Sequence, residues 1–124
     1  MKTIFCVDDA EILADIIASR LATEGYIAHP FRDADLAFEM MLKEIPDLVV
    51  MDRSIDTQYG DDGIALCKKI RELPDGKRIK LIILSGLISN EDRERCEEIG
   101  VDEIVIKPYN TKKFVEMVNR LLQQ

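Results

Sequence analysis

The chain has 124 residues, 47% of them hydrophobic, which is enough for one compact domain with its own core. Its formal net charge of −7 argues against nucleic acid as a direct partner, because phosphate backbones call for basic surfaces. No apolar stretch approaches the roughly 20 residues that span a bilayer, and residues 1–7 read as a strand, not as a signal peptide. We expect a single domain over residues 1–124 that is cytoplasmic and does not insert into a membrane.

The first predicted strand, residues 2–7, is β-branched and aromatic and is followed by Asp8 and Asp9. These carboxylates can end the strand and cap the next helix, which we place at about residues 10–24, before a stop at Gly25. The residues expected on the apolar stripe of this helix are Ile12, Leu13, Ile16, Ile17 and Leu21.

A short second strand is predicted over residues 26–30. A helix then runs from a cap at Asp33 to about Lys43. The side chains expected to face inward from it are Leu36, Met40 and Met41.

The rest of the chain is organised around residues 46–52, Pro-Asp-Leu-Val-Val-Met-Asp. The apolar run over residues 48–51 is typical of a strand buried on both faces of a parallel sheet. Pro46, which has no N–H donor, fits just before that strand. The run ends on the carboxylate of Asp52. Open α/β sheets place their chemistry at such strand ends, although an aspartate there is also a common turn former or helix cap.

The loop after this strand covers residues 53–62, and Gly63 begins a third helix. The buried side of that helix is expected to consist of Ile64, Leu66, Cys67 and Ile70. A turn at residues 74–76 leads into a second buried run over residues 80–84, which ends at Ser85-Gly86.

The fourth predicted helix, residues 90–99, is charged at seven of its ten positions and leaves mainly Cys96 and Ile99 to pack. Because most helix stability comes from an apolar face, we expect this helix to be weakly held. A solvated face is the simplest interpretation of its charges, and a mobile signalling surface is the sharper one.

A fifth strand over residues 103–106 precedes Lys107-Pro108, and Asn110 or Thr111 then caps the last helix. The residues of that helix expected to face the sheet are Phe114, Val115, Val118, Leu121 and Leu122. The three cysteines, Cys6, Cys67 and Cys96, match neither a disulfide framework nor metal-ligand spacing, so we predict reduced structural thiols.

Strands alternating with helices predict an α/β fold with a doubly wound, five-stranded parallel sheet, a flavodoxin-like (βα)5 three-layer sandwich. With strand order 2-1-3-4-5, strands one and three are neighbours and the topological switch falls between them. All carboxyl ends of the strands then lie along one edge of the sheet. The polar residues at those ends are Asp8, Asp9, Asp52, Ser85 and Lys107.

Three carboxylates crowded at this switch point repel one another, so one of them is protonated or a cation joins them. Two unit charges about 4 Å apart cost about 4 kcal/mol at an effective dielectric of about 20. Mg²⁺ fits best, because it accepts one or two carboxylates, keeps water ligands and leaves room for a phosphoryl oxygen. With Lys107 to neutralise charge and the Ser85 hydroxyl to donate, the site suits carboxylate attack by Asp52 on an activated phosphorus.

Four motifs follow one another along the chain: Asp8-Asp9, residues 46–52, Ser85-Gly86 and Lys107-Pro108. Together they resemble the receiver domain of two-component response regulators, of the stand-alone, chemotaxis-receiver-like kind, over the whole chain. The resemblance implies a signalling phosphoprotein without an output domain that takes a phosphoryl group from the phosphohistidine of a histidine kinase. It implies no enzyme activity beyond self-directed phosphotransfer and autodephosphorylation. The signal would pass to a downstream protein, or through a histidine phosphotransfer protein in a phosphorelay.

Site roles follow from the resemblance position by position. Asp52 is implied to be the phosphoacceptor and, with Asp9, a direct Mg²⁺ ligand. Asp8 is implied to act on the ion through water, and the Ser54 backbone carbonyl to be a further ligand.

The same resemblance matches Ser85 to the hydroxyl residue that follows the phosphoryl group and Lys107 to the lysine that pairs with it. The bond between Lys107 and Pro108 is implied to be cis, which the residues alone do not indicate. Helix one is the implied dock for the kinase, and helices four and five are the implied surface for a target.

Two features depart from the family pattern. Ile104 stands three positions before the lysine, where receivers commonly carry an aromatic residue that changes rotamer, so we hypothesise that helix four itself shifts. The loop over residues 53–63 lacks the usual proline and is longer than usual. Its charged residues lead us to predict altered metal affinity or acyl-phosphate lifetime; they are Arg53, Asp56, Asp61 and Asp62.

Three other classes compete with this interpretation. A non-phosphorylated pseudo-receiver would serve only as a binding scaffold. A magnesium-dependent phosphohydrolase would need a second acid where Ser54 stands, and a flavodoxin would need a phosphate loop where Asp8 and Asp9 repel phosphate. His29, the only histidine, is interpreted as a surface residue at a strand end and not as the phosphodonor.

Overall fold

A strand that is buried along its whole length, β3 (Leu48–Asp52), lies at the centre of the computed structural model, which describes residues 1–10 and 12–123. β1 (Thr3–Val7) and β4 (Lys80–Ser85) pair with it on its two sides. β2 (Ile27–Phe31) and β5 (Glu103–Ile106) form the edges of the sheet. All pairings are parallel and the order is β2-β1-β3-β4-β5, so the predicted strand order is confirmed.

Helices cover both faces of this sheet. α1 (Leu13–Thr23) and α5 (Thr111–Leu122) pack on one face, and α2 (Ala34–Lys43), α3 (Gly63–Arg71) and α4 (Asn90–Ile99) pack on the other. The predicted doubly wound (βα)5 sandwich is confirmed. Within the part of the chain that the structure describes, no helix has both the length and the apolar character needed to cross a membrane.

Alternation along β3 divides the core between the two faces. Leu48 and Val50 pack with α1 and α5, whereas Val49 and Met51 pack with α2, α3 and α4. Both faces are covered, which explains why the strand reads as an unbroken apolar run. The two residues at the strand end, positions 52 and 53, continue the alternation and leave β3 on opposite sides.

The start of α1 corrects a prediction. The helix begins at Leu13, not near Ala10, and Glu11 lies outside the described residues. Ile12 precedes it in the left-handed region, at φ 59°, and no side chain of the described residues caps the helix. The prediction that Asp8 or Asp9 caps α1 was therefore wrong. Asp8 instead accepts a hydrogen bond from the nearby Ala10 N–H at 2.9 Å, which closes a local turn before the helix.

Large apolar side chains of α2, of α1 and of the residue before α1 are also more exposed than predicted. Ile12 and Ile16 are each 52% exposed and Leu36 is 48% exposed. Leu13 and Met40 are exposed as well. Alanines take four of the covered positions, because alanine lets a helix approach the sheet closely. The buried residues of the two helices are Ala14, Ile17, Ala18, Leu21, Ala34, Ala37, Phe38 and Met41.

The remaining elements agree with prediction within a residue or two. Asp33 caps α2 and Asn110 caps α5, each through a side-chain oxygen that accepts backbone N–H groups. The predicted buried sides of α3 and α5 are confirmed, except that Leu121 is only partly buried. All three cysteines are free and buried, as predicted. Burial raises the pKa of the Cys6 thiol to about 12, so this group is an unreactive part of the core.

Candidate functional site

Three carboxylates meet at the carboxyl edge of the sheet, between β1 and β3. Asp8 and Asp9 directly follow β1, and Asp52 is the last residue of β3. Each offers a carboxylate oxygen, and these oxygens lie within 4.8 Å of one another. Asp8 and Asp52 are buried, whereas Asp9 is exposed. The cluster expected from the strand order is therefore present and is open to solvent on one side.

One lysine reaches into this cluster from the loop after β5. Lys107 Nζ lies 2.9 Å from Asp52 Oδ1 and 3.3 Å from Asp8 Oδ2. Its backbone N–H donates to the Ser85 carbonyl at 2.8 Å, and the peptide bond from Lys107 to Pro108 is cis, as the resemblance implied. Three acids and one ammonium leave an excess of negative charge at the site.

Burial raises the pKa of Asp52, and the charges of Asp8 and Asp9 raise it further, although the hydrogen bond and charge of Lys107 act against them. Burial alone would lower the pKa of Lys107, but its hydrogen bond to Asp52 and the charges of Asp52 and Asp8 raise it overall. Ionised Asp52 thus has a free-energy cost from burial and from repulsion by its acidic neighbours, and an added cation would reduce that cost.

The donor set fits Mg²⁺. Its atoms are carboxylate oxygens, which this hard ion prefers, and the exposed side of Asp9 leaves space for waters and a phosphoryl oxygen. Ser54 is exposed in the turn after β3. Within residues 1–10 and 12–123 its carbonyl accepts no hydrogen bond, whereas the Arg53 carbonyl accepts one from Gly63 at 2.9 Å. The role of the Ser54 carbonyl as a metal ligand stays a prediction.

Ser85, the last residue of β4, is buried and turned toward its own loop. Its hydroxyl donates to the Leu87 carbonyl and accepts from the Leu87 N–H at 3.2 Å. Only its backbone carbonyl contacts Lys107 by a hydrogen bond among the described residues. Donation from this hydroxyl to a phosphoryl oxygen stays a prediction, since the hydroxyl would first have to leave Leu87.

Sequence reasoning missed a cluster of four charged residues behind the site: Arg53, Asp62, Asp92 and Arg95. We call it the ion-pair cluster. Arg53 donates to Asp92 at 3.0 and 3.2 Å, and Arg95 donates to Asp62 at 2.9 and 3.0 Å. Weaker pairs at 3.8 Å, Arg53 to Asp62, and 3.4 Å, Arg95 to Asp92, close the ring.

The ion-pair cluster changes the expectation that α4 is weakly held. Asp92 is buried in the first turn of α4, and Asp62 caps α3 by accepting from Ala65 at 3.0 Å. Burial alone would raise the pKa of both acids, but hydrogen bonds from Arg53 and Arg95 lower it overall. Charged contacts thus replace the apolar face that α4 lacks. The Ser89-x-x-Asp92 pattern signals this helix start, because it forms a capping box.

Residues 4–119 match the family model of the response regulator receiver domain. The phosphate regulon transcriptional regulatory protein PhoB of Rhizobium meliloti is 28% identical over 124 residues, covering 100% of this chain. The chain spans 53% of the length of that relative. The expectation of a stand-alone receiver therefore stays a prediction.

Solved structures agree. A CheY-like response regulator receiver domain protein of Methanospirillum hungatei JF-1 has a TM-score of 0.89 at 25% identity, covering 99% of this chain and 94% of that one. Chemotaxis protein CheY4 of Vibrio cholerae shares the fold, with a TM-score of 0.87 at 20% identity over 98% of both chains. Receiver domains bind Mg²⁺ at an acidic cluster of the kind formed here by Asp8, Asp9 and Asp52. The family match runs almost from end to end, and the chain belongs to the response regulator receiver domains of two-component signalling.

Proposed function

We propose that this chain accepts a phosphoryl group on Asp52 and acts as a phosphorylation-controlled switch. The donor would be the phosphohistidine of a histidine kinase or of a histidine phosphotransfer protein, and the signal would leave through a protein partner or a phosphorelay. The observation that carries the proposal is the position of the Asp52 carboxylate, which ends the central strand beside two acids and one lysine. Family membership supports a phosphoacceptor role in general. We further propose that the chain works as a stand-alone receiver.

The reaction needs no general base, because the ionised carboxylate of Asp52 carries no proton that would have to be removed before it attacks. A carboxylate oxygen of Asp52 forms a bond to phosphorus while the bond from phosphorus to the donor imidazole nitrogen breaks. The electron pair of that bond stays on the nitrogen, which then takes a proton from water. Lys107, 2.9 Å from Asp52 Oδ1, favours the ionised form of the carboxylate and would remain beside the product as a partner for its phosphoryl oxygens.

Asp8, Asp9, Asp52 and the Ser54 carbonyl are the groups that would hold Mg²⁺. When bound, the ion would offset the negative charge that the carboxylates and the phosphoryl oxygens bring together. Asp9 is the exposed member of the set, so it defines the side from which a phosphodonor would approach. Buried Asp8 shares Lys107 with Asp52, so it orients the ammonium between the two strands.

The response to phosphorylation would begin at Ser85. Its hydroxyl now donates to the Leu87 carbonyl, and donation to a phosphoryl oxygen would require the end of β4 to rearrange. Ile104 lies on β5 next to Ile83 of β4 and has no ring to follow that movement. We propose that the signal reaches the surface by α4 instead.

A small phosphodonor tests the proposal directly. The chain is incubated with acetyl phosphate and Mg²⁺, and its intact mass is measured. We expect a gain of one phosphoryl group that is lost in Asp52→Asn. Asp56→Asn, a substitution of an exposed acid in the loop after β3, should keep the gain. A wild-type mass that does not change at saturating donor would contradict the proposal and favour a binding scaffold.

A further inference from the structure

Two consecutive residues, Asp52 and Arg53, join the acidic site to α4. Asp52 contributes its carboxylate to the cluster between β1 and β3. Arg53 leaves the strand on the opposite face and places its guanidinium on Asp92, in the first turn of α4. The proposed phosphoacceptor is therefore adjacent in sequence to Arg53, whose guanidinium holds α4 on the other side of the sheet.

The backbone of Arg53 is held on both sides. Its N–H donates to the Leu84 carbonyl at 2.8 Å, and its carbonyl accepts from Gly63 at 2.9 Å. Leu84 is the register partner of Asp52 and directly precedes Ser85. Movement of Ser85 toward a phosphoryl group would consequently be transmitted to Arg53 through this hydrogen bond, without any aromatic side chain.

The contact between Arg53 and Asp92 reaches the part of α4 that can respond. Asp92 is 5% exposed, and its carboxylate also completes the capping box by accepting from the Ser89 N–H at 3.4 Å. Cys96 is the only apolar residue of α4 that is fully buried in the described structure. Because so little apolar surface holds α4 on the sheet, one charged contact at its first turn supplies a large share of the interactions that keep the helix in place.

The second arginine of the ion-pair cluster provides the contrast. Arg95 lies within α4 and binds Asp62, the cap of α3. This pair also connects α4 to α3, but in the described part of the chain Arg95 makes no hydrogen bond to β3. Of these two arginines, Arg53 is the one whose side chain binds α4 and whose backbone directly follows the proposed phosphoacceptor.

We infer that Arg53 is a positioning residue that couples the phosphorylation of Asp52 to the first turn of α4 through its ion pair with Asp92. The inference rests on the proposed function and specifies how the same site is read out. A phosphoryl group adds negative charge and acceptor oxygens next to the Arg53 backbone. The movement of Ser85 toward it would shift Arg53 through the Leu84 carbonyl and so weaken the contact of the guanidinium with Asp92 on the other face. A buried carboxylate that loses its better partner is costly, and the pair with Arg95 at 3.4 Å is the weaker one, so the first turn of α4 moves toward water when the contact with Arg53 weakens.

Hydrogen exchange on the full chain, with and without acetyl phosphate and Mg²⁺, tests this coupling. In the wild type, amides of residues 90–99 should exchange about 5-fold faster or more after phosphorylation, in the range of ordinary coupling between sites. In Arg53→Met they should exchange fast without phosphorylation and should show no further increase with it. Arg95→Met should also loosen α4 but should keep its response. Arg120→Met, at an exposed pair with Glu103, should behave as the wild type.

These outcomes distinguish a residue that couples phosphorylation to α4 from one that only holds α4 in place. If Arg53 only held α4 in place, the two arginine variants would respond to phosphorylation alike, and the inference would be overturned. Asp92→Asn removes the same pair with a smaller change in shape, and a preserved phosphorylation response in that variant would overturn the inference too. Intact mass is read in parallel. A wild type that gains a phosphoryl group without any change in α4 refutes this inference alone, whereas no mass gain refutes the proposed function together with it.

Discussion

Gly63, the first residue of α3, lies directly against the backbone of Asp52. A Cβ atom at position 63 would come within 2.2 Å of the Asp52 carbonyl oxygen and 2.7 Å of Met51 Cγ. The Gly63 N–H also donates to the Arg53 carbonyl at 2.9 Å. The start of α3 is thus seated on the strand end that carries the proposed phosphoacceptor, and only a residue without a side chain fits there.

Gly63→Ala should therefore disturb both stability and the site. The methyl group must displace backbone and not the end of a flexible side chain, so we expect a loss of about 1–3 kcal/mol in the free energy of unfolding. The rate of phosphorylation by acetyl phosphate should fall with it. Urea unfolding followed by circular dichroism measures the first effect. Gly86→Ala is the matched control, because a Cβ there meets no atom within 4 Å; equal losses in both variants would show that the close approach is unimportant.

Mg²⁺ should stabilise the folded chain, because a ligand that binds only the native state raises the free energy of unfolding. We expect a higher midpoint of thermal unfolding in Mg²⁺ than in EDTA at matched ionic strength. The difference should be lost in Asp9→Asn, where an exposed residue proposed as a ligand is changed without disturbing the core, and kept in Asp75→Asn, at an exposed acid of the turn before β4. Equal midpoints for the wild type with and without the ion would rule out a metal site at the three carboxylates.

Much of the fold could be predicted because its strongest signals are local. Leu48–Asp52 reads as an unbroken apolar run since both faces of β3 are covered. Its terminal acid, together with the polar ends of β1 and β5, places the site once the strands are known to be parallel. The meeting of Asp8 and Asp52 then follows from the strand order, because β1 and β3 are neighbours. Lys107 follows the edge strand β5 and reaches these acids from its loop, across the end of β4.

The parts that could not be predicted depend on contacts between distant residues or on how closely a helix approaches the sheet. The pair between Arg53 and Asp92 spans 39 positions and forms only because the strand end turns toward α4. In α1 the stripe of large apolar residues is wider than the part of the helix that the sheet can cover. Ala14 and Ala18 therefore face the core while Ile16 faces outward. A periodicity argument ranks isoleucine above alanine. It therefore places Ile17 and Leu21 correctly, but it assigns Ile16 to the buried face and leaves out the two alanines.

Asp92 of the ion-pair cluster should contribute to the way in which the free energy of unfolding changes with pH. Because Arg53 holds the pKa of Asp92 below its ordinary value despite burial, the native state binds fewer protons than the unfolded chain near pH 4. The contribution of Asp92 is therefore fully present above the unfolded pKa and is lost as pH falls through the folded one. Urea unfolding between about pH 2 and 5 should give a smaller slope of stability against pH in Asp92→Asn than in wild type. An exposed acid, substituted in Asp75→Asn, is the control; an unchanged slope in Asp92→Asn would contradict the assignment.

Lys107→Met should expose the repulsion that the lysine now offsets. The folded pKa of Asp52 is already raised by burial and by its acidic neighbours, so its ionised form opposes folding as pH rises through the unfolded value toward the folded one. Without the ammonium that opposition grows. We expect the free energy of unfolding to fall by about 1–3 kcal/mol near neutral pH. The decrease should become smaller as Asp52 is protonated, and Mg²⁺ should partly reverse it. Lys112→Met, an exposed substitution in α5, should cost little at any pH. A loss in Lys107→Met that is the same at all pH values would mean that the lysine stem acts through packing and that its charge does not control the site.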